Sequence, residues 1–454
     1  MTHDELVRDL VARSRAALKV LEGYSQEQVD ALVKAMCLAV RANAEALAKE
    51  AVEETRLGRY EDKVIKNAGT PDALWHSLKD KKSVGIIRRE PERKLVYVAK
   101  PKGVIASVAP TTNPNITALS NSVFAVKGRN TIIVAPHPRA KKTTVHTVDI
   151  MSAAIKKLGA PDHVLQAIAE PSVELTQALM RAGDIVVATG GMGMVQAAYS
   201  SGKPAMGVGV GNVQSLIDRD ADFDAAAADI ILGRSFDNGI ICAANQSVIM
   251  PADRKDRVVE AFRARGAFYS EDPATVDRFR STYFVDGKPN PKVVGQSALF
   301  FAEAAGVEVP ENTKVIMLKG RAAGREEPLC GEKALPLLVA LTYGTFEEGV
   351  EMVKANLLYQ GAGHTATIHS RDERHIEYFA LALPVSRIIV NQTGIAAAGT
   401  NFRIGFNPTT SLGCGSWGNN SISENLTYEH FINISRIGYL LDESQVPDMD
   451  RIYD

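Results

Sequence analysis

The stretch Asp184-Ile-Val-Val-Ala-Thr-Gly-Gly-Met-Gly-Met-Val195 decides the fold. It reads as a strand, a glycine-rich turn and the opening of a helix. Working back toward the N-terminus, the same unit recurs. Strand-like runs stand at Val104–Val108, Thr131–Ala135 and Val164–Ile168, with helical stretches between them that close on Gly128 and on Gly159-Ala-Pro161. The step of roughly 25–30 residues is the size of one βα unit. Alternation of this kind predicts an α/β fold, a parallel sheet covered by helices on both faces. Sites in such sheets lie at the carboxyl ends of strands, so the residues just after each run are the functional candidates.

Further outward the text changes. The first ~75 residues read as helices by their apolar period. Ser25-Gln-Glu-Gln28 fits a capping box, and Val29, Leu32, Val33, Met36 and Val40 share one helical face as ordinary core. Val84–Lys100 reads as a β-hairpin around Glu90-Pro-Glu92. A second block begins near Gly233, with strand candidates at Ser247–Met250, Lys314–Leu318 and Arg387–Val390. No internal repeat, low-complexity tract or Pro/Ser-rich linker separates the blocks, so two domains share one body.

Composition excludes several classes. With 454 residues, 45% hydrophobic, the chain has ample length for two cored domains. A net charge of −1 gives no electrostatic reason to expect nucleic acid or an anionic membrane as partner. The short basic runs Lys79-Asp-Lys-Lys82 and Arg139-Ala-Lys-Lys142 read as solvated faces. The four cysteines, Cys37, Cys242, Cys330 and Cys414, form no CxxC pair, which speaks against a disulfide framework or a metal site. Free thiols, a charged N-terminus without a signal-peptide core and no apolar run near ~20 residues together predict a cytoplasmic protein.

Phe236-Asp-Asn-Gly-Ile-Ile-Cys-Ala-Ala-Asn-Gln246 is the window richest in chemistry. Cys242 follows a glycine-containing turn and precedes a β-like run, where backbone N–H groups can lower a thiol's pKa and later bind an oxyanion. For a lone cysteine, a small buried hydrophobe is the commoner role. This window, however, is similar to the nucleophile motif of the aldehyde dehydrogenases, and specifically of their CoA-acylating branch. Pro110-Thr-Thr-Asn-Pro114, Ala135-Pro-His-Pro-Arg-Ala140, Ala188-Thr-Gly-Gly-Met-Gly193, Ser200-Ser-Gly-Lys-Pro204, Gly361-Ala-Gly-His-Thr-Ala366 and Gly413-Cys-Gly-Ser-Trp-Gly418 resemble the same branch and occur in its order. Cys330 and Cys414 lie in other segments and read as structural.

The resemblance implies an aldehyde dehydrogenase fold: a Rossmann-like cofactor domain (1–83 and 101–232), an α/β catalytic domain (233–422) and a small β oligomerisation arm with tail (84–100 and 423–454). It implies a nicotinamide dinucleotide, NAD or NADP, on Thr189, Gly190, Gly191 and Gly193, where glycines let N–H groups approach a pyrophosphate at a helix N-terminus. His137 and Arg139 end another strand and are candidates for the adenosine ribose or a phosphate. Hydrolytic relatives carry a Lys where this chain has Ala135-Pro136, which leaves NAD and NADP both open. Glu332 falls where the family binds the nicotinamide ribose. The glutamate that activates water in the hydrolytic branch aligns with Val208, and no acid lies in Gly202–Leu216. Without that base, water attack on a thioester should be slower by ~10²–10⁴-fold. Coenzyme A is then the expected acyl acceptor.

Under this resemblance Cys242 attacks the aldehyde, and the oxyanion rests on the Cys242 N–H and on an amide for which Asn113 is the candidate. The hydrolytic motif puts its Asn one position earlier, at Thr112. His364 is a candidate for seating CoA or cofactor, with a structural histidine as the plainer reading. Asn391-Gln-Thr-Gly, Gly405-Phe-Asn-Pro-Thr-Thr410, Asn420–His430, Tyr24–Gln28 and Tyr60–Lys63 resemble the CoA-dependent succinate-semialdehyde dehydrogenases. Pro110–Asn115 reads more like the acetaldehyde-type enzymes, so acetaldehyde, propionaldehyde and sulfoacetaldehyde stay open. Arg403 is a candidate for a substrate carboxylate or sulfonate, because guanidinium binds such groups bidentately. A hydrolytic dehydrogenase and a catalytically silent structural homologue are the competing readings; Val208 opposes the first, and the intact Cys242 and Gly loop oppose the second. The hairpin Val84–Lys100 and the tail His430–Leu441, apolar and strand-like, are expected to form a dimer or dimer-of-dimers surface.

Overall fold

The computed structural model describes residues 2–454. Strands β1 (Gly85–Glu90) and β2 (Leu95–Pro101) form the expected hairpin. A first sheet holds β3 (Val104–Val108), β4 (Thr131–Ala135), β5 (Leu165–Ala167), β6 (Ile185–Thr189) and β7 (Ala205–Val208). All its pairings are parallel, in the order β5-β4-β3-β6-β7. Side chains alternate across it. Ile105, Ile132, Val134 and Val187 face the helices Gln26–Ala42, Pro114–Lys127 and Lys141–Lys156, while Ala106, Ile133 and Val186 face His3–Leu21 and Val173–Ala182. Burial of such Val and Ile side chains contributes about 1.5–3 kcal/mol each. The capping box at Ser25 is present, and the stripe from Val29 to Val40 is buried in this core.

A second sheet contains β8 (Gln214–Ile217), β9 (Ser247–Pro251) and β10 (Ala267–Ser270). After a two-residue ribbon, β11 (Phe284–Val285) with β12 (Lys288–Pro289), it continues with β13 (Val315–Lys319), β14 (Leu337–Tyr343), β15 (Gly363–His369) and β16 (Val385–Val390). Its seven strands run parallel in the order β10-β13-β14-β9-β8-β15-β16. The boundary expected at 232/233 therefore falls too late. β8 pairs with β9 and β15, so residues from Gln214 onward already belong to the second sheet. Gln214-Ser-Leu-Ile217 is too short and too polar to read as a buried strand without its neighbours.

The tail supplies β17 (Ile432–Gly438), which pairs antiparallel with β2, Tyr97 opposite Arg436, to complete a three-stranded arm. Ile86, Ile434, Ile437 and Leu440 on this arm and its exit are exposed. Among the described residues no helix is long and apolar enough to cross a membrane.

Two features of this topology position a site. In the first sheet the chain winds outward from β3 to β5 and then returns to the other side of β3, so the strand order reverses between β3 and β6; ligands in open α/β sheets bind in the crevice at that point. Val208 also ends β7 only a few residues before β8 begins, which brings the carboxyl edge of one sheet against the amino edge of the other.

Candidate active site

A cleft of about 340 Å³ opens where those edges meet, within the usual size range for small-molecule sites. Residues after β3 (Val108–Asn113), β4 (Pro136–Pro138) and β6 (Thr189–Gly191) line one wall. Cys242, ahead of β9, and Glu332, ahead of β14, line the other. Val208 and Gly209 form the floor between them.

Cys242 is held by an unusual loop. After helix Phe223–Ser235, Asp237 and Asn238 adopt φ of 49° and 51°, followed by Gly239 at 68°. A left-handed conformation costs a non-glycine residue about 1–2 kcal/mol, so the surroundings must enforce it. They do. The Asp237 carboxylate accepts from Lys63 Nζ at 3.0 Å, from Lys66 Nζ and from the Arg59 N–H at 2.8 Å, while the Asp237 N–H donates to Asp62 Oδ2 at 2.8 Å. Asn238 Nδ2 donates to the Gly295 carbonyl at 2.9 Å. On the other side the buried Arg234 guanidinium donates to the carbonyls of Gly239 and Asn245, bracketing the cysteine. Burial opposes ionisation of Asp237, but Lys66 and Lys63 outweigh it and hold the carboxyl below its ordinary value. Burial, with the charge of Lys66, lowers Lys63 to about 8.

The free thiol of Cys242 is pushed up to about 12 by burial, then by the charge of Glu332 and by Cys414, while Arg387 and the Ala243 N–H pull the other way. Burial raises Glu332 to about 7. Its Oε1 accepts the Gly211 N–H at 3.3 Å. Among the described residues it is the one carboxylate lining the cleft.

Asn113 precedes helix Pro114–Lys127 without capping it, and its Oδ1 accepts from Lys66 Nζ at 2.6 Å. Thr189 Oγ1 lies 2.9 Å from Oγ of the buried Ser411. The Gly loop fits a dinucleotide phosphate. Gly191 leads helix Met192–Tyr199 with no side-chain cap, so its first N–H groups are free of such a partner, and a Cβ built there would meet nothing within 4 Å.

The cleft thus brings together Cys242, Asn113, Thr112, Thr189, Gly190, Gly191, His137, Glu332 and Val208. Four expected residues lie elsewhere. Gly193 is the second residue of the helix, outside the lining. Arg139 turns away to donate to the Thr55 carbonyl at 3.2 Å, which spends the guanidinium on a helix C-terminus. His364 is fully buried in β15, with Nδ1 at 3.1 Å from Thr365 Oγ1 and Nε2 unpartnered; burial, aided by Arg387, lowers it to about 3. Arg403 is exposed on the loop after Gly399 and does not reach the cleft. Sequence reasoning missed Lys63, Lys66, Asp62 and Asp237, whose grouping spans more than 170 residues of chain. It also missed Thr410, which lines the cleft with a buried hydroxyl that has no partner.

The chain is similar to known proteins over its whole length. The succinate-semialdehyde dehydrogenase (acetylating) of Clostridium kluyveri is 57% identical over 453 residues, covering 100% of both chains. An acetylating aldehyde dehydrogenase from Geobacillus thermoglucosidasius superposes with a TM-score of 0.94 at 37% identity, over 98% of each chain. A propionaldehyde dehydrogenase from Rhodopseudomonas palustris, solved with bound CoA and an acylated cysteine, gives 0.85 at 26% identity over 95% of this chain and 97% of its own. The profile of the aldehyde dehydrogenase family matches residues 2–273. The chain belongs to the aldehyde dehydrogenase family.

Proposed function

We propose that this chain is a CoA-acylating aldehyde dehydrogenase that interconverts succinate semialdehyde and succinyl-CoA. One observation carries the acceptor. The cleft around Cys242 is lined by Val208, buried and apolar, where the hydrolytic branch carries its glutamate, and Oε1 of Glu332, the one lining carboxylate among the described residues, accepts the Gly211 N–H. With an apolar side chain at the position of the water-activating glutamate, water attack on the thioester is slow, so a better nucleophile must take the acyl group. The substrate rests on full-length likeness to the Clostridium kluyveri protein. Arg403, exposed and outside the cleft, does not serve as its carboxylate ligand.

In the oxidative direction Cys242 releases its proton to solvent, and the thiolate sulfur bonds to the aldehyde carbon. The oxygen becomes an anion, which accepts from the Cys242 N–H and the Asn113 side-chain amide. Thr189, Gly190, Gly191 and Glu332 would hold a dinucleotide, NAD or NADP, which would supply the acceptor for the hydride that this adduct loses. Cys242 then carries a thioester. The CoA sulfur attacks the same carbon, the oxyanion forms again on Asn113, and Cys242 leaves as thiolate, so the cycle is ping-pong. The bond energy of the thioester is kept in the product, and every step reverses.

The first sheet serves as the cofactor-binding unit and the second as the catalytic unit. The arm of β1, β2 and β17, with its exposed Ile86, Ile434 and Ile437, serves as a homo-oligomer surface, in a dimer or dimer of dimers. All four cysteines are free thiols, which suits the reducing cytoplasm. The test is reduced-dinucleotide formation from succinate semialdehyde with and without CoA. Sustained turnover only with CoA supports the reading, and steady production of free succinate without it overturns the reading.

A further inference from the structure

We propose that Lys66 is a positioning residue for the reaction, holding the Asn113 side chain so that its amide N–H groups face the cleft. The proposal rests on the reading of Asn113 as an oxyanion ligand. Lys66 Nζ lies 2.6 Å from Asn113 Oδ1. An ammonium group only donates, so it selects the amide oxygen and turns the NH₂ group the other way. Asn113 is free to be held like this because, although it stands at the start of helix Pro114–Lys127, its side chain makes no capping bond. Lys66 is itself fixed. Its side chain is 9% exposed and pairs with Asp237 on the nucleophile loop, and Lys63, one turn earlier on the same helix, completes the grip.

Without the ammonium, the amide can rotate and present its oxygen to the developing anion, which repels it. Asp237, five residues before Cys242, keeps its bonds from Lys63 and the Arg59 N–H when Lys66 is lost, so the effect of Lys66 on the oxyanion runs through Asn113. Because the carbonyl oxygen becomes an anion in both half-reactions, the contribution of Lys66 must appear in both.

The experiment is a double-mutant cycle on the full-length enzyme. It is read as the burst of reduced dinucleotide and, separately, as CoA transfer from the acyl-enzyme. Asn113→Ala should slow both by on the order of 10²–10³-fold, the usual effect of losing one oxyanion donor. Lys66→Met should slow both by about tenfold or more, with the KM for dinucleotide unchanged, and in the Asn113→Ala background it should cause no further loss. Lys66→Gln, which keeps a donor without the charge, should retain more rate than Lys66→Met. It also serves as the comparison if the methionine variant does not fold. Losses that multiply in the double variant, or Lys66→Met at the wild-type rate, overturn the proposal. If Asn113→Ala turns over normally, the oxyanion reading itself falls, which is a distinct result.

Discussion

Gly211 lies so close to Cys242 that a Cβ on the glycine would overlap the carbonyl oxygen of the cysteine. The Gly211 N–H meanwhile donates to Glu332. One residue therefore sets the spacing between the chain leaving β7, the nucleophile loop and the cleft carboxylate. Gly211→Ala must displace the Cys242 backbone. Overpacking of this kind costs about 1–3 kcal/mol of stability. A shift near 1 Å at a reacting atom is expected to cost on the order of 10²-fold in rate. Thermal unfolding and the pre-steady-state burst measure the two effects. A normal burst would show that the loop yields without moving the sulfur.

The thiol and the carboxyl that share this cleft should report on each other. Cys242 is raised to about 12, so its thiolate fraction, and with it the alkylation rate by iodoacetamide, should climb about tenfold per pH unit across the neutral range. Glu332 ionises at about 7, and its negative charge is one of the causes that raise Cys242. Above that pH, Glu332→Gln should alkylate faster than the unmodified enzyme. Below it Glu332 is already neutral, and the two rates should converge. Equal rates at every pH would separate Glu332 electrostatically from the sulfur.

Asp237 is the anion on which the nucleophile loop depends, and its loss leaves Lys63 and Lys66 buried against like charge. Asp237→Asn should cost about 3–5 kcal/mol at neutral pH, the usual result of removing one partner from a buried ion pair. The sign of its pH dependence follows from the depressed folded-state value. The stabilisation is complete above the ordinary aspartate range and is lost as pH falls through the folded value. The gap between variant and wild type should therefore narrow in acid, below the ordinary aspartate value. Urea unfolding at both pH values decides it.

The fate of these residues shows what the sequence could express. β3, β4, β6 and β9 were legible because a run of apolar residues bounded by turn signals has few other uses in a βα series. Cys242 and the Gly loop were legible because their chemistry is concentrated in contiguous residues. The cluster of Asp62, Lys63, Lys66 and Asp237 was not, since two lysines on a helix look like a solvated face until a distant carboxylate is folded against them. Arg139 and Arg403 failed for the complementary reason. Their residue type suits an anion, but where the side chain goes is decided by a helix end at Thr55 in one case and by an exposed loop in the other. β8 was missed because Gln214 and Ser215 are polar, although both are buried in the second sheet.

The Gly loop can be tested without disturbing the fold. A Cβ at Gly191 meets no protein atom within 4 Å, and its backbone is not in the left-handed region, so Gly191→Val should leave the melting temperature nearly unchanged. The added isopropyl group would occupy the space in front of the free helix N–H groups, where a phosphate is expected to sit. Dinucleotide affinity should fall by tenfold or more, by roughly 1.5–3 kcal/mol, the size of losing charge-assisted bonds. Fluorescence titration of the reduced dinucleotide checks this. Unchanged affinity would move the cofactor phosphate away from Gly191.

Val208 supplies the last prediction. It ends β7, is 2% exposed and lines the cleft with Cys242, so a carboxylate placed there would face the acyl-enzyme. In the unmodified protein the thioester should wait for CoA. A burst of one reduced dinucleotide per active site should appear without CoA, and CoA added after the burst should release acyl-CoA rather than free acid. Val208→Glu should shorten the life of that intermediate by allowing a carboxylate to take a proton from water. The gain should be well below the ~10²–10⁴-fold typical of general-base catalysis, because burial keeps part of the new acid protonated at neutral pH. The hydrolytic leak should accordingly increase as pH is raised and more of the introduced carboxyl group ionises. Quenched-flow measurement of free acid against acyl-CoA distinguishes the products. If the unmodified enzyme already hydrolyses its thioester steadily, Val208 does not occupy the base position. Glu332, the one carboxylate in the lining among the described residues, then becomes the base to test, through Glu332→Gln.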